Sequence, residues 1–135
     1  MSQKSPLDDV SEEFLQFWQE RHLSTLTTVR RDGTPHVVPV GVTLDIETAT
    51  ARVISSSTSH KVRQILAAGP DGAPAAVCQV DGRRWSTLQG RAVVRDNPGA
   101  VADAEARYEQ RYKKPRANPS RVVIEISVTK VLGTL

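Results

Sequence analysis

Two of the three Asp-Gly pairs, Asp32-Gly33 and Asp81-Gly82, each stand between runs of β-branched and apolar residues. Asp-Gly accepts the positive φ that a tight hairpin demands, so each pair folds the chain back as neighbouring antiparallel strands. Around the first pair, Leu23 to Val29 is one strand and Pro35 to Leu44 the next. Around the second, Ala75 to Val80 precedes a long strand from Arg84 to Val94. Val38, Val40, Val42 and Leu44 alternate toward a core, while the positions between them include Pro39 and Gly41. Proline removes a ladder donor and glycine removes bulk, which suits either a protected edge strand or a wall for a flat ligand. Two more strands follow the same logic, Ala49 to Ser55 and Val122 to Leu132, the latter with Val122, Ile124, Ile126 and Val128 inward.

Three helices fit between them. Asp9 and Glu12 have capping-box spacing and open a helix from Val10 to Arg21, whose Phe14, Phe17 and Trp18 make a docking face. Ser59 caps a second helix with Val62, Ile65 and Leu66 on its apolar side, ending near Gly69-Pro70. Asn97-Pro98 opens a third that runs to about Tyr112, with Val101, Ala104 and Tyr108 as its apolar face. About six antiparallel strands, with three short helices as plugs rather than crossovers, predict a mainly β barrel. At 135 residues it is one domain, residues 1–135, with residues 1–9 loose.

The stretch ARVISSSTSHKVRQIL, Ala51 to Leu66, concentrates the chemistry. A strand runs into five hydroxyl residues, Ser55 to Ser59, and leaves as a helix that begins with His60 and Lys61. Free N–H groups at a helix start, hydroxyl donors and cations together suit a phosphate or another anion. The spacing is not that of a Walker loop, and a polar loop capping an ordinary helix reads the residues equally well. The segment Lys113 to Arg121, KKPRANPSR, is either a solvated loop or a basic lip over an anionic ligand.

Composition narrows the classes. The formal charge of +3 is modest for a nucleic-acid binder, and two each of Phe, Trp and Tyr give little to stack bases on. One cysteine, Cys78, excludes an internal disulfide framework and a Cys-based zinc site. No paired carboxylates, triad or metal cluster stands out, so no metal is expected, and the absence of a long apolar segment predicts a cytoplasmic protein without a membrane span.

HVVPVG (His36 to Gly41), ARVISSSTSHK (Ala51 to Lys61), QVDGRRW (Gln79 to Trp85), LQGRAVV (Leu88 to Val94) and RYKKPRANPSRVVIEI (Arg111 to Ile126) occur in this order. With LTTVRRDGTP, Leu26 to Pro35, the set resembles the flavin/deazaflavin-dependent oxidoreductases built on the FMN-binding, pyridoxamine 5'-phosphate oxidase-like split β-barrel, from about Ser11 to Gly133. It is most similar to the actinobacterial F420-dependent biliverdin reductases. The resemblance implies a homodimer with F420 in a groove between two barrels, FMN being the alternative cofactor. By position, Ser55, Ser56, Ser57, Thr58, His60 and Lys61 would hold the phosphate-bearing tail. The ring would lie along His36, Val37, Val38, Pro39 and Val40, with Gln79 and Trp85 completing the pocket. The acceptor would be biliverdin, a tetrapyrrole whose propionates need cations such as Arg111, Lys113, Lys114, Arg116 and Arg121. His36 or Arg116 would be the candidate proton donors. The cofactor carries the hydride chemistry, which explains the missing catalytic constellation. Pyridoxamine-phosphate oxidases share the barrel but end in an aromatic pair and a His-Asp-Arg block that VIEISVTKVLGTL lacks, so vitamin B6 chemistry is not expected. An FMN-binding barrel, a haem-binding barrel and an RNA-binding barrel are the competing classes.

Overall fold

Asp32-Gly33 and Asp81-Gly82 both turn the chain in the computed structural model, which describes residues 5–135. The first joins β1 (Ser24–Val29) to β2 (Pro35–Val40), with Gly33 at φ +88°. The second joins β5 (Ala73–Asp81) to β6 (Arg84–Arg95) through a two-residue turn, with Gly82 at φ +62°. With β3 (Thr43–Asp45), β4 (Thr50–Ser56) and β7 (Arg121–Gly133) they form one seven-stranded antiparallel sheet, ordered β2-β1-β5-β6-β7-β4-β3. Leu26, Val53, Val77, Leu88, Ile124 and Ile126 fill its inner face, each at most 1% exposed.

Helix α1 (Glu12–Gln19) plugs one end, burying Phe14, Phe17 and Trp18 as their spacing predicts. Its N-cap is Ser11, not Asp9: the Ser11 hydroxyl accepts from the Phe14 N–H at 3.0 Å, and the helix is shorter at both ends than its apolar pattern. Residues 5–9 are not loose. Ser5 and Asp8 close a turn (2.8 and 3.1 Å) that drives Leu7 into the core at 2% exposure. The first four residues lie outside the described ones. Helix α2 (His60–Ala67) is capped by Ser59 as expected and buries Val62 and Ile65. Leu66, expected on the same face, is instead 57% exposed, being one residue round the helix from the buried stripe. Helix α3 (Pro98–Arg111) packs on β4 and β7 through Ala104. Among the described residues no helix is long and apolar enough to cross a membrane.

The long strand expected from Pro35 to Leu44 is broken at Gly41-Val42, which makes seven strands of six. A Cβ on Gly41 would lie 2.9 Å from the Tyr108 ring and 3.1 Å from that of Tyr112, so only glycine lets α3 approach here. Tyr112 Oη accepts from the Val42 N–H at 3.1 Å, taking the place of a ladder bond, and donates to the His22 carbonyl at 2.6 Å.

Beside it lies the most consequential correction. Arg111, expected at a ligand, turns inward. Its Nε donates to the Glu20 carbonyl at 2.9 Å, Nη1 to the Val42 carbonyl, and Nη2 to Gln79 Oε1 at 2.7 Å. Gln79, expected to line a pocket, is fully buried (0% exposed) and donates from Nε2 to the Phe17 carbonyl at 2.8 Å. Ser24 also donates to Gln79 Oε1, at 3.2 Å. Burial lowers the Arg111 pKa and raises that of Tyr112. The pair fastens the exit of α1, the floor of β5 and the β2–β3 connection to the end of α3.

Replacing Arg111 with Met is expected to destabilise the fold by about 3–5 kcal/mol, because it strands buried acceptors on three elements at once. A shift in the urea midpoint at unchanged m-value measures it.

Candidate functional site

The barrel wall is incomplete on one side. β3 pairs with β4 only at Thr50–Arg52, and β2 pairs with β1 alone, so Val53–Ser56 face β2 without a strand between. A groove of about 450 Å³ opens there. Pro39, Val40 and Gly41 form one wall, Ile54 the other, and Tyr108 lies at its base. Its polar lining is cationic: Lys61, Lys113, Lys114, Arg116 and Arg121.

The strand-to-helix stretch builds one end of the groove through Ile54 and Lys61. Ser59 Oγ takes the Val62 N–H (3.4 Å) and meets Ser55 Oγ at 3.0 Å. Among the described residues nothing takes the N–H groups of His60 and Lys61, which are left at the positive end of α2. The Lys61 ammonium is half-buried, without an ion-pair partner among the described residues, and burial holds its pKa below the usual lysine value. A buried cation without a counter-charge is costly until an anion arrives. Ser57 is less available than its sequence suggests, because its N–H goes to the Ser120 carbonyl at 2.8 Å. Thr58 is exposed beside it.

Consecutive helix residues point about 100° apart, so His60 and Lys61 part company. Lys61 faces the groove, whereas His60 lines a second cavity of about 410 Å³ with Arg30, Arg31 and Arg63. His36 lies outside the groove lining and belongs to a polar chain: Gln64 Nε2 donates to its Nδ1 at 3.1 Å, while Gln64 Oε1 accepts from Thr28. The His36 and His60 rings stand edge to face, 6.4 Å apart. Val37 is exposed on the outer face, Val38 packs against the core, and Trp85 lies outside the groove of its own chain.

The basic segment is joined to the hydroxyl loop. Asn118 Nδ2 donates to Ser56 Oγ at 2.9 Å, and Arg121 Nη1 donates to Glu105 Oε2 and to the Arg116 carbonyl, both at 2.7 Å. Asn118, Glu105, Ile54 and Tyr108 were not among the residues anticipated here. Tyr108 could have been found as the one aromatic of the third helix's apolar face that sits nearest its polar end; Asn118 and Glu105 carried no local signal.

Replacing Lys61 with Met is expected to leave the free protein at least as stable at neutral pH while weakening anion binding about tenfold. The sign follows from the depressed pKa. The folded state binds the Lys61 proton less tightly than the unfolded chain, so this group costs stability at neutral pH. The cost fades as pH rises through the folded value toward the unfolded one near 10.4. Urea midpoints of the two proteins should therefore converge with rising pH.

Residues 10–134 match the family model described as pyridoxamine 5'-phosphate oxidase. A relative from Mycobacterium tuberculosis (strain CDC 1551 / Oshkosh), named F420H(2)-dependent biliverdin reductase, is 51% identical over 125 residues, which is 93% of this chain and 88% of the relative. Among solved structures, one titled F420 reductase superimposes with a TM-score of 0.71 at 23% identity, covering 91% of this chain and 98% of the other. The haem storage protein HutZ of Vibrio cholerae does so with 0.71 at 13% identity, covering 90% and 92%. These two likenesses are of fold alone, and a fold shared by both does not choose a ligand. The family match spans the sheet, both loops and the groove between β2 and β4, and this chain belongs to the pyridoxamine 5'-phosphate oxidase family.

Proposed function

We propose that this protein reduces biliverdin to bilirubin with reduced F420, as the name of its half-identical relative suggests. The observation that carries the reading is the cationic groove beside the free start of α2. The residues present fit an anionic cofactor tail: among the described residues Lys61 lacks a counter-charge and two helix N–H groups lack acceptors. When bound, reduced F420 supplies a hydride from a ring carbon.

The chain's own part is to bind, orient and neutralise. Ser55, Ser56 and Lys61 would receive the phosphate-bearing tail. Pro39 to Gly41 would back the ring, a side of the groove with little side-chain bulk. Lys113, Lys114 and Arg116, on the rim, would take the acceptor's propionates, since a carboxylate beside several cations gains charge-assisted hydrogen bonds. Arg116, also on the rim, would be the group that faces a pyrrole nitrogen as it takes up its proton. A cytoplasmic setting is part of the reading, because the reduced cofactor must be regenerated inside the cell.

A second copy of the chain belongs to the same proposal. Strand register sets Val80 opposite Trp85, 63% and 37% exposed, and Leu23, just before β1, is 70% exposed. Small uncharged residues continue that face along the sheet: Thr25, Thr27, Ala76, Cys78 and Thr87. Such a patch is a self-association surface, and the partner's Trp85 would then close the groove.

Under anaerobic conditions, reduced F420 with the protein should convert biliverdin to bilirubin, seen as loss of the red band and gain of the blue one; NADPH alone should not. Arg116→Ala should raise the KM for biliverdin about tenfold while F420 affinity changes little, the worth of one charge-assisted contact. Tight F420 binding without turnover would sink the acceptor assignment and spare the cofactor. Light scattering at micromolar concentration should give twice the chain mass of 14.8 kDa, and Trp85→Glu should halve it.

A further inference from the structure

We propose that Glu105, one helical turn before the groove's Tyr108 but absent from the groove lining, is a positioning residue for the acceptor: through Arg121 it holds the 113–117 half of the basic loop in place. The inference rests on the acceptor reading above.

Residues 113–117 form no regular structure, and Pro115 denies them one backbone donor. Among the described residues, one hydrogen bond holds this half: Arg121 Nη1 to the Arg116 carbonyl, at 2.7 Å. The side chain that donates it is 10% exposed and is itself held by Glu105 Oε2 at 2.7 Å, from the middle of α3. Glu105 is thus the rigid end of a three-part strut, helix to guanidinium to loop carbonyl. A flexible guanidinium without that carboxylate has several rotamers and no reason to keep the one that reaches Arg116.

The pairing also alters what Arg121 can do. Its charge is met by Glu105, so it contributes direction rather than a counter-charge, while its partnerless Nε keeps one donor free. The counter-charges for an anionic acceptor are then Lys113, Lys114 and Arg116, which the strut carries.

The other half of the loop has a different anchor. Asn118 bonds Ser56, and the Ser120 carbonyl takes the Ser57 N–H, so residues 118–120 are fastened to the hydroxyl loop. The two halves should therefore respond separately. Glu105→Ala is expected to raise the KM for biliverdin about tenfold, the worth of one lost charge-assisted contact, with F420 affinity by fluorescence titration within about twofold. Glu105→Gln, which keeps an acceptor for Arg121, should recover most of the loss. Asn118→Ala should weaken F420 as well as the acceptor.

A second readout is independent of turnover. Amide exchange at residues 113, 114, 116 and 117 should speed up in Glu105→Ala, with the exchange of β4 and β7 unchanged. If wild-type protein binds F420 but leaves biliverdin unreduced, the acceptor reading fails, and the exchange measurement still decides the strut. If exchange in 113–117 is unchanged, or KM and F420 affinity move together with a general loss of melting temperature, Glu105 is merely structural and the proposal is overturned.

Discussion

A guanidinium surrounded by carbonyl oxygens holds this barrel in register. Arg111 has no carboxylate within ion-pair distance among the described residues. It spends its donors on Glu20, Val42 and Gln79, while its Cζ lies 5.5 Å from the centroid of the Trp18 ring and 5.2 Å from that of Tyr112. Such a cation tolerates burial only if its N–H groups are met, and here the acceptors come from separate parts of the chain. The end of β2 is fixed by that requirement. Since Pro39 to Gly41 form a wall of the groove, the site's shape depends on a side chain that touches no ligand.

The fold was legible wherever the signal was local. Alternation along Val122 to Val128, the two Asp-Gly turns, the Phe14–Phe17–Trp18 stripe and the Ser59 cap all depend on residues a few positions apart, and each is found. The break at Gly41 was not legible, because the rings that require it, Tyr108 and Tyr112, lie far along the chain. Leu7 is the same case in miniature: a polar neighbourhood concealed an apolar residue whose pocket is made by distant elements.

The site divides along a similar line. Lys61, Pro39 and the basic segment do meet at one groove, as the strand-to-helix stretch and the loop implied. Arg111 and Gln79 do not, although both stand in stretches that carry the resemblance. A motif records whatever a family cannot change, and a buried guanidinium with its carbonyls is as hard to change as a ligand contact. His60 and Lys61, adjacent in sequence, face different cavities because a helix turns between them. No linear pattern distinguishes which of two neighbours looks into the groove.

β2 is the border of the sheet, bonded to β1 on one side and, among the described residues, to no strand on the other. Pro39 and Val40 of this strand line the groove, Pro39 with a carbonyl but no N–H. A heterocycle resting there can be gripped by main chain in the manner of one more strand, and main-chain grips survive most substitutions. The rim cations are side chains and can be exchanged one at a time. A ring seated there would be held by groups that substitution cannot remove, and an anion on the rim by groups that it can.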